Sequence, residues 1–146
     1  MTRYRDLAIL FLRLATAANF LSPVADRFGW WGAPGDPGVA WGSWPLFVEY
    51  AAQTNSFAPA AMAPFLAATA TALEIIFALM LIVGFKTRIA ATGSAILTLL
   101  FAIAMTISFG IKSPLDYAVF VDLTSAFLLA TVDRYKWSVD EILTRN

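Results

Sequence analysis

Four apolar stretches, each close to twenty residues, constrain this chain more than anything else in it: residues 7–24, 64–85, 89–108 and 114–132. About 20 residues of helix cross the ~30 Å of a bilayer's hydrocarbon. None of the four alternates polar and apolar residues as a barrel strand does, which argues against a β-barrel. The connections after the second and third stretches are very short, which makes stretches two, three and four antiparallel neighbours. Composition agrees: 60% of the 146 residues are hydrophobic, 14% are charged and the mean hydropathy is +0.71. A soluble fold of this size needs more polar surface than that. The expected fold is an all-α, integral membrane four-helix up-down bundle, a single domain over residues 1–146.

Orientation follows from the basic residues. Arg3, Arg5, Lys86, Arg88, Arg134, Lys136 and Arg145 fall at the N-terminus, the loop after the second stretch and the C-terminus. Arg27 and Lys112 fall in the other two loops. Seven against two predicts both termini in the cytoplasm. A basic start followed by an apolar run also resembles a secretory signal. Arg13 interrupts the apolar core that such a signal needs, so an uncleaved first helix is expected.

The chain has neither cysteine nor histidine. That excludes structural disulfides, thiol redox chemistry, thiolate or imidazole metal ligation and haem on an axial Cys or His. No metal site is expected, and redox chemistry would need a borrowed cofactor or a partner. The net charge is zero, which gives nucleic acid no electrostatic footing. No phosphate-binding glycine loop, nucleophile elbow or Ser-His-Asp set is present.

Residues 25–63 form the one long connection. It holds four of the five tryptophans, Trp30, Trp31, Trp41 and Trp44. Two readings stand side by side: an aromatic anchor in the headgroup region, or a lid over a pocket. "GWWGAPGDPG" is rich in turn formers. "SWPLFVEYAAQTN" predicts a short interfacial helix, with Ser43 as N-cap and Pro45 in its first turn. Asp26 and Arg27 lie at the outer mouth, where two readings stand: a solvated rim, or a pairing with Lys112 or Asp116. "DRYKWSVDEIL" predicts a tail with Trp137 at the inner interface and Ser138 capping a short helix.

Charge inside the spans is the sharpest feature. Glu74 lies ten residues from the inner end of its stretch, roughly 15 Å deep at 1.5 Å per residue. Asp122, Thr98 and Arg13 count to similar levels, with Asn19 somewhat higher. The candidate buried polar cluster is therefore Arg13, Asn19, Glu74, Thr98 and Asp122. Charges at mid-membrane cost at least ~2.5–3.5 kcal/mol each, so they face the bundle interior and pair. The simplest pairing is Arg13 with Glu74, with Asp122 nearby. Such a cluster holds helices together or handles protons for a ligand. The small-residue runs "AATATA" and "AATGSA" allow close helix contact.

These features together resemble the DoxX family over nearly the whole chain. The carrying stretches are "LFLRLATAANFL" with its arginine, "ALEIIFALMLIVGF" with its glutamate, the tight turn "GFKTRIAA" and the tail "YKWSVDEIL". "SPVADRFGWWG" and "VAWGSWPLFVEY" resemble a subgroup with a long first outer loop. The resemblance implies a small four-helix protein of the bacterial inner membrane. The family's name-giving members resemble the membrane subunit of a thiosulfate:quinone oxidoreductase, which implies quinone as a candidate cofactor. Other relatives are linked to membrane complexes that handle oxidative stress. Arg13 and Glu74 match the family pattern by position, whereas Asp122 has no counterpart in it. Three functions follow as alternatives: a non-catalytic scaffold or accessory subunit of a membrane complex, a quinone-interacting subunit fed by a redox partner, or a binder or transporter of a small lipophilic solute. The lipid bilayer is an expected partner, beside a protein partner or redox subunit. Homo-oligomerisation is left open.

Overall fold

The structure, a computed structural model, describes residues 2–144. Arg145, counted above among the tail-end charges, lies outside them. Every regular element among the described residues is a helix, and none is a strand. The bundle consists of α1 (Thr2–Arg27), α3 (Ala63–Val83), α4 (Thr87–Phe109) and α6 (Val119–Ala130). Shorter elements are α2 (Trp44–Thr54), α5 (Lys112–Asp116) and α7 (Val139–Leu143), with one 3-10 turn at Ala60–Met62. Around the bundle the order is α1, α3, α4, α6, and α6 closes back on α1. The α1–α6 seam is the loosest of the four.

Three helices are long and apolar enough to cross a membrane: α1, α3 and α4. The fourth apolar stretch does not form one continuous span. It divides into α5 and α6 at Tyr117 and Ala118, with Ala118 in the left-handed region at φ 54°. The 12 residues of α6 reach about 18 Å, short of a full crossing. No glycine or proline stands at the break, so the residue types there do not announce it.

The interior faces are helical stripes. On α1 the buried residues are Asp6, Ile9, Arg13, Thr16, Ala17, Phe20, Val24, Asp26 and Arg27, a run with the period of one helix face. On α3 the stripe is Ala63, Ala67, Thr71, Glu74, Ala78 and Leu81. Small residues on that stripe let the backbones approach. The opposite faces carry large exposed apolar side chains such as Phe65, Ile76, Ile96 and Ile107. That is the arrangement of a bundle whose solvent is lipid.

The two ends of the bundle are built differently. At the loop end, α2 starts after Ser43, whose backbone is extended, with Pro45 in the first turn. It seats Phe47 and Ala51 on Ala67 of α3, so the predicted short helix is present and lies over the mouth of the bundle. Its far end is tied to α4, where the Ser108 hydroxyl donates to the Thr54 carbonyl at 2.6 Å. At the tail end, α3 stops at Gly84, which has φ 69°. A Cβ there would come within 2.3 Å of the Ser138 Cβ and 2.8 Å of the Arg13 Nη1. Glycine is thus required twice, for the backbone angle and for the space.

Candidate functional site

Glu74 sits at mid-length on the buried stripe of α3, and its carboxylate is paired. The partner is Arg27, not Arg13. Arg27 Nη1 donates to Glu74 Oε2, and Nη2 donates to Oε1 at 3.1 Å, giving a two-pronged contact. The same Nη1 also donates to the Thr71 hydroxyl at 2.7 Å. The two side chains are 5% and 3% exposed, so the pair is withdrawn from lipid and water alike. Such geometry is what a buried pair requires, because any unsatisfied edge of either ion would be costly. Arg27 Nε alone has no hydrogen-bond partner.

Aromatic rings close over this pair. The guanidinium carbon stands 3.8 Å from the Phe47 ring centroid and 5.6 Å from that of Trp41. Trp41 meets Phe47 edge-on with centroids 5.0 Å apart, and Trp44 stacks with Phe28 at 5.8 Å. A cation over an aromatic face is favoured most where water is excluded. Asp26, next to Arg27, holds the loop that carries these rings. Its carboxylate accepts from the backbone N–H groups of Ala40, Trp41 and Gly42 at 2.8–2.9 Å. Asp26 and Arg27 form neither a solvated rim, since both are buried, nor a pair with Lys112 or Asp116. Lys112 and Asp116 pair with each other one turn apart. Trp30 and Trp31 stand outside the cap, 79% and 63% exposed, with the Trp31 indole donating to the Ser22 carbonyl.

Arg13 is buried at the opposite end. It donates to the Trp137 carbonyl at 2.8 Å and to the Lys136 carbonyl at 3.5 Å. Its neighbour is Gly84, at the end of α3, so it lies about 21 Å along α1 from Arg27 rather than in the Glu74 layer. Further contacts hold the tail against the bundle and order it internally. Lys136 pairs with Asp6 at 2.9 Å. The Asp140 carboxylate accepts from the N–H groups of Lys86 and Thr87 at 2.7 and 2.8 Å, capping the start of α4. Ser138 accepts from the Glu141 N–H and so caps α7, as its position predicts. The Tyr135 hydroxyl donates to the Leu129 carbonyl, and burial raises its pKa above the ordinary phenol value.

The remaining candidates fall elsewhere. Thr98 is buried, but its hydroxyl turns back on the Ser94 carbonyl in its own helix. The Ser94 hydroxyl is buried without a partner. Asn19 donates to Asp122 Oδ1 at 2.7 Å, across the α1–α6 seam. Asn19 is exposed and Asp122 half-buried. The five cluster residues therefore occupy four separate places.

Two open recesses form on the surface. One of about 400 Å³ is lined by Val83, Trp137 and α7, and one of about 450 Å³ by Phe77, Arg88 and α4. Neither touches Arg27 or Glu74. Among the described residues no group of His, Cys, Asp or Glu is placed to hold a metal ion.

Sequence reasoning missed Arg27 as the partner of Glu74, along with Thr71, Asp140 and Lys136. For Arg27 a signal existed. It stands 14 residues after Arg13, almost four helical turns, which puts both arginines on one face. Thr71 likewise stands one turn before Glu74. No comparable signal marks Lys136, whose partner Asp6 is 130 residues away in the chain.

No curated protein and no solved structure matches the chain. The DoxX family model does match it, over residues 8–107. The matched region covers α1 to α3 and nearly all of α4, and so both buried arginines and Glu74. It leaves out α5, α6 and the tail. Three apolar spans and a match over about two thirds of the chain make this a membrane protein that belongs to the DoxX family.

Proposed function

We propose that the protein is a non-catalytic accessory subunit of a membrane complex, set in a bacterial inner membrane with both termini in the cytoplasm. One observation carries this reading: the mid-membrane carboxylate Glu74 is held on both oxygens by Arg27, itself bonded to Thr71, beneath an aromatic cap. A proton-handling group must reach its substrate within hydrogen-bond distance or through one water. Glu74 faces its own arginine and adjoins neither recess. The pair instead pins the long loop and α2 to α1 and α3, so the loop end becomes a rigid platform. Trp30 and Trp31 on that platform, together with the charged tail, offer surfaces to a partner. The topology is supported by the positive charges, more cleanly once Arg27 is withdrawn from the loop, because among the described residues Lys112, paired with Asp116, is then the one exposed basic side chain on the loop end.

Native mass spectrometry of the gently extracted protein tests the reading. A co-purifying protein subunit is expected. Glu74→Gln should lower the amount of assembled complex in step with the loss of folded subunit, leaving turnover per assembled complex unchanged. A bound quinone, together with redox turnover per complex lost in a folded Glu74→Gln variant, would favour a quinone-contacting subunit instead. A bare protein carrying a single lipophilic solute would favour a solute binder.

A further inference from the structure

Glu74 and Asp122 are the two carboxylates deep within the bundle, and only one of them has a counter-ion. Glu74 is matched by Arg27, and Arg13 by tail carbonyls. Asp122 has only an amide: Asn19 Nδ2 reaches Oδ1, and among the described residues no cation pairs with the carboxylate. The location adds to this. Asp122 is half-buried and Asn19 exposed, at the loosest seam of the bundle. The lipid-facing side chains Val121 and Phe127 of α6 flank them at 62% and 64% exposure. An intramembrane carboxylate that faces neither the bundle interior nor a cation is unstable in hydrocarbon and demands a donor.

The seam is also shaped to admit a helix. On α1, Ala15 and Ala18 are exposed beside Asn19, so a second backbone can come close. Ser22 and Ser125 continue the polar line, each three residues from Asn19 and Asp122 on its own helix. Pro23 has no N–H to give the Asn19 carbonyl, which leaves one more acceptor on the same strip. Acceptors outnumber donors along it.

We propose that the α1–α6 seam docks a transmembrane helix of another protein that carries a lysine or arginine at mid-membrane depth, paired with Asp122. The proposal rests on the accessory-subunit reading and says where that partner sits. Charge complementarity selects the occupant. A second copy of this chain would bring another carboxylate to the same spot, and like charges repel. A cationic helix neutralises Asp122 and supplies donors to its neighbours.

The probe is a synthetic single-span Leu/Ala helix with one central lysine, labelled for energy transfer and reconstituted with the full-length protein in phosphatidylcholine vesicles. The control helix carries leucine at that position. The lysine helix should associate with the wild type about tenfold more strongly than the control does. Asp122→Asn should abolish the preference. This variant should fold, because the one side-chain hydrogen bond of Asp122 is to Asn19 and an amide keeps it in shape, and circular dichroism checks that. Asp122→Lys should reverse the preference towards a helix with a central aspartate. Equal association of the lysine and leucine helices overturns the proposal, as does a preference that survives Asp122→Asn. Self-association of the wild type that excludes the lysine helix also overturns it, in favour of a second copy. If a native complex assembles undiminished with Asp122→Asn, this docking site falls while the accessory-subunit reading stands. If the lysine helix binds as expected but no partner ever co-purifies, the seam stands and that reading falls.

Discussion

Arg27 and Arg13 lie on one face of one helix, both nearly fully buried, yet their charges are met in opposite ways. At the loop end Arg27 finds a carboxylate, a hydroxyl and two aromatic faces. At the tail end Arg13 finds backbone carbonyls from a segment more than 120 residues away. The loop-end arrangement joins two transmembrane helices through an ion pair. The tail-end one fastens a terminal segment through hydrogen bonds to neutral groups. The difference teaches what each arginine is for. A buried ion pair is weak evidence for stability but fails badly when halved. A guanidinium held by carbonyls orders the chain that supplies them and loses only those bonds when removed.

The largest effect should come from halving the loop-end pair. Glu74→Gln leaves the Arg27 charge buried without its counter-ion, and a loss of roughly 3–5 kcal/mol is expected. Unfolding in detergent micelles measures it. The double variant Arg27→Met with Glu74→Leu should recover most of that loss, since apolar replacement of a whole buried pair is often neutral. If the double variant is no better than the single one, the pair is not the unit described here.

Gly84→Ala attacks the tail end through the backbone. The left-handed angle alone costs a residue with a Cβ about 1–2 kcal/mol, and the overlap with Ser138 adds to it. The tail should detach, so limited proteolysis after residue 132 should accelerate while the aromatic cap stays protected. Equal loosening of both ends would mean that they are coupled.

Arg13→Met should cost less, about 2 kcal/mol, the worth of charge-assisted hydrogen bonds. Proteolysis of the tail should again report it, with little change in tryptophan fluorescence from the cap. A loss as large as that of Glu74→Gln would erase the contrast between the two ends. The smallest effect belongs to Asp133→Asn. Asp133 is 98% exposed and stands 3.8 Å from Arg88. Exposed pairs of that kind contribute almost nothing, so the unfolding midpoint should not move.

Much of the fold was legible because membrane insertion writes strong signals. Three long apolar runs became α1, α3 and α4. Pro45 marked the first turn of α2, although Ser43 at the N-cap position makes no side-chain cap bond, and Ser138 marked α7 through a cap that does form, because capping is local chemistry. The turn "GFKTRIAA" read correctly as tight, since Gly84 supplies the one angle that ends α3. The fourth span was overestimated. Hydropathy measures apolar length, and the left-handed residue Ala118 interrupts the helix without interrupting the apolar run.

The site was only half legible, and the reason is axial register. Periodicity put Glu74, Arg13 and Arg27 on inward faces, and the residue types required that the carboxylate be paired. Which arginine pairs depends on how far α1 slides along α3. Counting depth from Asp6 placed Arg13 beside Glu74. In the structure Arg13 stands beside Gly84, and the slide brings Arg27 to Thr71 and Glu74. Sliding one apolar helix along another changes little buried apolar area, so hydrophobicity cannot choose the register. Contacts between residues far apart in the chain choose it: the tail on Arg13 and Asp6, and the loop on Asp26. The same holds at the opposite seam, where only the packing of α6 against α1 turned Asn19 and Asp122 away from Glu74. The sequence by itself determined that a membrane bundle forms and that its buried charges need partners. The tertiary structure decided which partners they have.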